Sequence, residues 1–115
     1  MTDLTQTESQ VEAIAPEAFS TEQRAKIFAA LADPTRLRIV ELLAAKGELS
    51  GSEIASQLNI SLALFCHHSR TLVEADLLQV RREGQTKYNS LNQTLLQQCL
   101  MSLGAMRDTA INPTK

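Results

Sequence analysis

Two short helical segments separated by almost nothing constrain this chain more than any other feature. "SGSEIASQLNI" reads as a helix from about Ser52 to Leu58, with Ile54, Ala55 and Leu58 turned inward. Asn59 and Ile60 leave room only for a turn. Ser61 then caps a second helix, "SLALFCHHSRTL", that runs to about Ala75. Helix, tight turn and amphipathic helix is a helix-turn-helix.

The flanking segments supply the rest of a small domain. "DPTRLRIVELLAAKG" carries Asp33 as N-cap, Pro34 at the first helical position and Gly47 as the stop. Leu37, Val40, Leu42, Leu43 and Ala44 are its expected core face. Upstream, "STEQRAKIFAALAD" starts a helix at Ser20 or Thr21, with Ile27, Phe28 and Leu31 on the apolar side. Downstream the period changes. Residues 77–82 and 85–91 read as strands, with Glu83-Gly84 as the hairpin turn. A last helix, about Asn92 to Arg107, repeats Leu95, Leu96, Cys99, Leu100 and Leu103. That stripe exceeds what so small a domain needs for itself. The expected fold is mostly α with a β-hairpin wing, in the order α1-α2-α3-α4-β-β-α5, with α4 as recognition helix. Residues 1–19 are expected to be a disordered acidic tail, 20–107 the DNA-binding and dimerisation domain, and 108–115 a C-terminal tail.

Composition bounds the function. The chain has 115 residues and a net charge of −2, which argues against nucleic acid until the charges are placed. Residues 1–22 hold five acids and no base. The remainder has 11 bases against 8 acids, a net of +3. That is weakly basic, short of a footprint that would establish DNA binding alone. No apolar run of about 18 residues suggests a membrane span. The N-terminal stretch lacks the basic start and apolar centre of a signal peptide. Two cysteines 33 residues apart are not a disulfide framework, so a reducing cytoplasm is the expected compartment. A Gly-rich phosphate loop, a nucleophile elbow and an HExxH motif are all missing, and no enzyme is expected.

Four separated segments, "FAALADPTRLRIVELL", "SEIASQLNIS", "HHSRTLVEADLL" and "RREGQTKYNSL", fall in an order and spacing that resembles the ArsR/SmtB family of bacterial winged-helix repressors. The resemblance covers about residues 22–105. It implies a homodimer held by the first and last helices, here through Ile27, Leu31, Leu95, Leu96, Cys99, Leu100 and Leu103. It implies binding to operator DNA and release by an inducer. Family members sense metal ions, arsenicals, or oxidants and sulfur species. Two departures stand out. Where the family often carries "ELCVCDL", this chain reads "ELSGSEI", with Ser50 and Ser52. Where the last helix often begins Asp-x-His, it reads Asn92-Gln93-Thr94. Hydroxyls are poor ligands for soft or borderline metals, so neither metal site and no cofactor is expected.

On the recognition helix, Leu62, Ala63, Cys66, His67 and Arg70 share one face, which is expected to enter the major groove. Arg70 can reach a guanine edge or a phosphate. Ser61 and the helix start suit a phosphate. Arg81, Arg82, Gln85 and Lys87 on the hairpin are expected to track the backbone. In a dimer, two such helices one DNA turn apart predict an inverted-repeat operator with half-sites about 34 Å apart.

Cys66, His67 and His68 point in divergent directions around a helix, so they cannot converge on one zinc. Two readings of Cys66 stay open: a redox sensor whose oxidation puts a polar group into the DNA face, or a small contact residue. Two other functions also stay open: a protein-interaction winged helix, and a metal sensor with an atypical site.

Overall fold

The computed structural model describes residues 19–110. Five helices and a three-stranded sheet follow in the order α1 (Thr21–Leu31), α2 (Pro34–Lys46), β1 (Leu49–Ser50), α3 (Gly51–Leu58), α4 (Leu62–Glu74), β2 (Leu78–Glu83), β3 (Thr86–Leu91) and α5 (Gln93–Ala110). The sheet is antiparallel, ordered β1-β3-β2. The expected winged helix-turn-helix is present, with α4 and the β2–β3 wing in the anticipated places.

Local chemistry sets each boundary. The Ser20 hydroxyl accepts from the Gln23 backbone N–H at 3.0 Å while the Gln23 side chain accepts from the Ser20 N–H at 2.8 Å, a full capping box. Ser50 and Glu53 repeat it at the start of α3. The Asp33 carboxylate accepts from the Arg36 N–H at 3.0 Å, with Pro34 beside it. Gly47 ends α2 at φ 88°, a conformation that favours glycine. Asn59 closes α3 in the left-handed region at φ 58°, one of the few residue types that enter it readily. The Ser61 hydroxyl caps α4 through the Leu64 N–H at 3.0 Å.

All five helices contribute to the core. Ile39, Leu43, Ile54, Leu72, Leu77 and Cys99 are fully buried within it. Phe19, the last residue of the expected tail, packs into this core, and α5 continues to Ala110. Residues 1–18 and 111–115 of the two expected tails lie outside the described residues. The inward face of α2 is Ile39, Val40 and Leu43, while Leu37 and Ala44 are exposed. Apolar residues surround much of α2, so composition left its inward face ambiguous and packing decided it.

Two further details differ from the sequence reading. Glu83 pairs with Thr86, so it closes β2 and the turn is Gly84-Gln85. Gly84 then stands at the first loop position with φ 63°, where a two-residue type II′ hairpin uses glycine. The strand β1, only two residues long, was too short to show alternation. It pairs Leu49 with Asn89 and Ser50 with Tyr88, tying the start of α3 to the wing.

Candidate nucleic-acid interface

The recognition helix is held from below by three side chains. Phe65, His68 and Leu72 are buried, as their spacing implies. Phe65 lies so close to Gly51 that a Cβ there would sit 3.0 Å from the ring. Arg36 presents its guanidinium 3.2 Å from the His68 Nδ1, and the same side chain donates to the Ala30 carbonyl at 2.7 Å. Arginine is a donor only, so Nδ1 accepts and the ring proton sits on Nε2. Asp33 stands 3.9 Å from that nitrogen. The Arg36 backbone N–H, with the Arg36 charge, holds the Asp33 carboxyl below its usual range. His68 is therefore a satisfied histidine that fastens α4 to the α1–α2 turn.

What remains outward on α4 is Leu62, Ala63, Leu64, Cys66, His67, Arg70, Val73 and Glu74. Leu62, Cys66, Arg70 and Val73 form one wall of an open cleft of about 1050 Å³. Val80 and Lys87 of the wing face them, with Gln85 at the turn. Glu53 and Glu74 also reach its rim. Ala63 and His67 lie outside that lining, on the exposed side of the helix. The Ser61 hydroxyl is occupied by its own helix cap.

The wing carries its charges on two faces, because paired residues of an antiparallel ladder share a side and successive residues alternate. Arg82 pairs with Lys87, next to the Val80–Asn89 pair. Asn89 is buried and donates to the Leu49 carbonyl at 3.3 Å, which fixes this face toward the body of the domain. Neither Arg82 nor Lys87 forms an ion pair among the described residues. On the other face Arg81 pairs with Tyr88 and lies over its ring, 4.9 Å from the centroid. Arg81 donates to both Glu48 carboxylate oxygens, at 3.0 and 2.9 Å, and to Glu83 at 2.9 Å. These bonds depress the Glu48 carboxyl and push the Arg81 guanidinium upward. Arg81, expected beside Arg82 on the DNA, is thus occupied by carboxylates. Sequence reasoning missed both Glu48 and Tyr88, whose roles depend on a register that the misplaced turn obscured.

Other expected residues divide in the same way. Ile27 and Cys99, assigned to a dimer interface, are buried in the chain's own core. Burial pushes the Cys99 thiol up, against the opposing pull of Arg24. Arg24 is itself buried and donates to the Ser102 hydroxyl at 3.3 Å, joining α1 to α5. Leu31, Leu95 and Leu96 are half-buried, while Leu100 and Leu103, with Met101 between them, are exposed on α5. Ser50 and Asn92 serve as caps. Asn92 accepts from the Leu95 N–H at 3.2 Å and donates to the Asp76 carbonyl at 3.1 Å. Cys66 is exposed. Among the described residues, no three His, Cys, Asp or Glu side chains gather as a metal site, and no helix is long and apolar enough to cross a membrane.

Residues 31–81 match a family model described as a helix-turn-helix domain. The transcriptional repressor SdpR of Bacillus subtilis is 41% identical over 71 residues, covering 62% of this chain and 78% of the repressor. A transcriptional repressor SmtB homolog of Synechocystis is 38% identical over 85 residues, 71% of this chain and 64% of that protein. A solution structure from Mycobacterium bovis, described as a homodimeric winged helix-turn-helix DNA-binding domain of a possible ArsR-family regulator, superposes with a TM-score of 0.61. It is 26% identical and covers 81% of this chain and 89% of its own.

Proposed function

The chain belongs to the ArsR/SmtB family of winged helix-turn-helix transcriptional repressors, and we propose that it is itself a homodimeric, sequence-specific repressor. The observation that carries this reading is the Arg82–Lys87 pair. Two like charges directly opposite on a two-stranded ribbon repel each other. Neither is in an ion pair among the described residues, so an external anion can relieve the repulsion. Lys87 lines the cleft with Val80, as Arg70 of α4 does, and Arg82 stands beside Lys87 on the same face of the ladder. A DNA phosphate strand fits that role, with Arg82 and Lys87 on the backbone and Arg70, His67 and Ala63 toward the base edges.

The exposed Leu100, Met101 and Leu103 on α5, with Leu31, Leu95 and Leu96 beneath, support an apolar homodimer interface. Two recognition helices related by a two-fold axis call for an inverted-repeat operator. Ser50 and Asn92, at positions where the family often places metal ligands, are helix caps, and the reading is of a repressor without the usual metal site and without a cofactor. It assigns no catalytic step to the chain.

The test is fluorescence anisotropy on the DNA upstream of its own gene and on random DNA, across a range of salt. A preference for the upstream DNA and a steep fall with salt are expected. Equal affinity for random DNA, or indifference to salt, would favour a protein-interaction role instead.

The releasing signal is read out in the same assay. Cys66 is exposed on the cleft wall, so oxidising its thiol with peroxide adds a polar oxygen beside the DNA path. Release by peroxide, recovery with reductant and insensitivity of Cys66→Ser would make Cys66 the switch. Unchanged binding would leave it a packing contact and turn the search to other inducers.

A further inference from the structure

Arg81 is the best-connected side chain of the wing, and its connections all run within the protein. It stands on β2, the outer strand in the order β1-β3-β2. Its guanidinium passes over Tyr88 of β3 and reaches Glu48, the residue before β1. One side chain thus spans all three strands on a single face. Glu48 lies two residues before Ser50, the N-cap of α3. The far strand of the wing is thereby fastened to the point where the helix-turn-helix begins.

Geometry and charge both matter here. The Arg81–Glu48 contact is bidentate, so it fixes an angle as well as a distance. Two carboxylates surround one guanidinium, which leaves this face of the wing net negative and poorly suited to phosphate. The opposite face holds Arg82 and Lys87.

We infer that Arg81 is a positioning residue, which straps the wing to the helix-turn-helix through Glu48 and turns the Arg82–Lys87 face toward DNA, and is not itself a phosphate contact. The inference rests on the DNA-binding reading, and it adds that neighbouring arginines have opposite roles.

The full chain is compared as wild type, Arg81→Ala, Glu48→Gln, Lys87→Ala, the single reversals Glu48→Arg and Arg81→Glu, and the charge-swapped Glu48→Arg/Arg81→Glu. Arg81→Ala and Glu48→Gln should each weaken operator binding roughly 2- to 5-fold, the range of an ordinary surface ion pair, and leave the salt slope unchanged. The swap should bind better than either reversal alone. Lys87→Ala should lower the slope by about 1. Glu48→Gln is the decisive variant, because it removes a negative charge and yet should weaken binding. Tighter binding by Glu48→Gln, or a slope lowered by Arg81→Ala, would overturn the assignment and make Arg81 a phosphate contact. Amide hydrogen exchange without DNA separates this inference from the broader reading. Arg81→Ala should speed exchange across residues 81–88 in the free protein. Unchanged exchange would remove the strap even if wild type binds DNA, while faster exchange in a protein that binds no DNA would keep the strap and reject the operator.

Discussion

Arg81 and Arg82 are adjacent and chemically identical, yet the two faces of the wing give them opposite surroundings. Arg81 has two carboxylates and an aromatic ring. Arg82 has another cation directly across the ladder. The pleat of the strand is the whole cause, since it sends neighbours to opposite sides. A basic residue on a wing is therefore not evidence of a DNA contact until its face and its neighbours are known. Satisfied charge serves architecture, and unsatisfied charge is available to a ligand.

The largest expected effect comes from reversing the unsatisfied face. Arg82→Glu with Lys87→Glu should lower operator affinity by on the order of 100-fold at moderate salt, because both contacts are lost and two anions face the backbone. The thermal midpoint should change little, since one like-charged pair replaces another and no ion pair among the described residues is broken. Anisotropy and a melting curve on the same preparation check both halves. A large drop in stability with unchanged affinity would break the comparison. Across the cleft, Arg70→Ala should cost about 1–3 kcal/mol of discrimination between operator and random DNA, while leaving the dimer intact in sedimentation. An unchanged ratio would remove Arg70 from the base-reading set.

The same contrast shows how far the sequence could be read. Signals confined to a few residues were legible: Asp33-Pro34, Gly47 and Ser61 each marked a helix end that the structure reproduces. The hairpin was legible only as a hairpin. Glu83-Gly84 and Gly84-Gln85 both satisfy a glycine turn, and the choice shifts every cross-strand pair. With the first, Arg81 faces Thr86; with the second, it faces Tyr88. Both choices leave Leu78 and Asn89 on one face, so burial does not decide between them; Gly84 at φ 63° takes the first loop position of a type II′ turn, which selects the second. The stripe expected to form a dimer interface shows the same limit. Periodicity identified an apolar face on α5, but not that Cys99 fills the chain's own core while Leu100 and Leu103 stay outside.

A smaller effect tests whether the helix side of the cleft is placed as firmly as the wing side. Gly51→Ala puts a methyl group 3.0 Å from the buried Phe65 ring. Overpacking of this kind costs typically about 1–3 kcal/mol, and alanine's helix preference offsets up to about 1 kcal/mol of it. Net destabilisation of about 1 kcal/mol is expected in denaturant unfolding. Because Phe65 carries α4, operator affinity should fall too. A variant as stable as wild type with weaker binding would show that α4 shifts without strain, and a fully neutral variant would show that Phe65 yields freely.

The smallest effect is a pH dependence confined to the satisfied face. The Glu48 carboxyl sits below its ordinary value of 4.5, chiefly because Arg81 donates to it. A depressed folded-state value means that the strap contributes fully above the ordinary carboxylate range. Its contribution fades as pH falls through the lowered value. Between pH 7 and 5 the wing should therefore be insensitive to pH, and below about 4.5 amide exchange across β2 and β3 should rise relative to the rest of the domain. Other carboxylates titrate in the same window, Asp33 at the α2 cap among them. The useful quantity is thus the difference between wild type and Glu48→Gln. Glutamine has no carboxyl to titrate, so the variant's wing should exchange quickly at every pH and the two proteins should converge in acid. Convergence places the acid-sensitive group at Glu48. Parallel curves that never meet would put it elsewhere, and the two faces of the wing would then differ in charge but not in how firmly they are held.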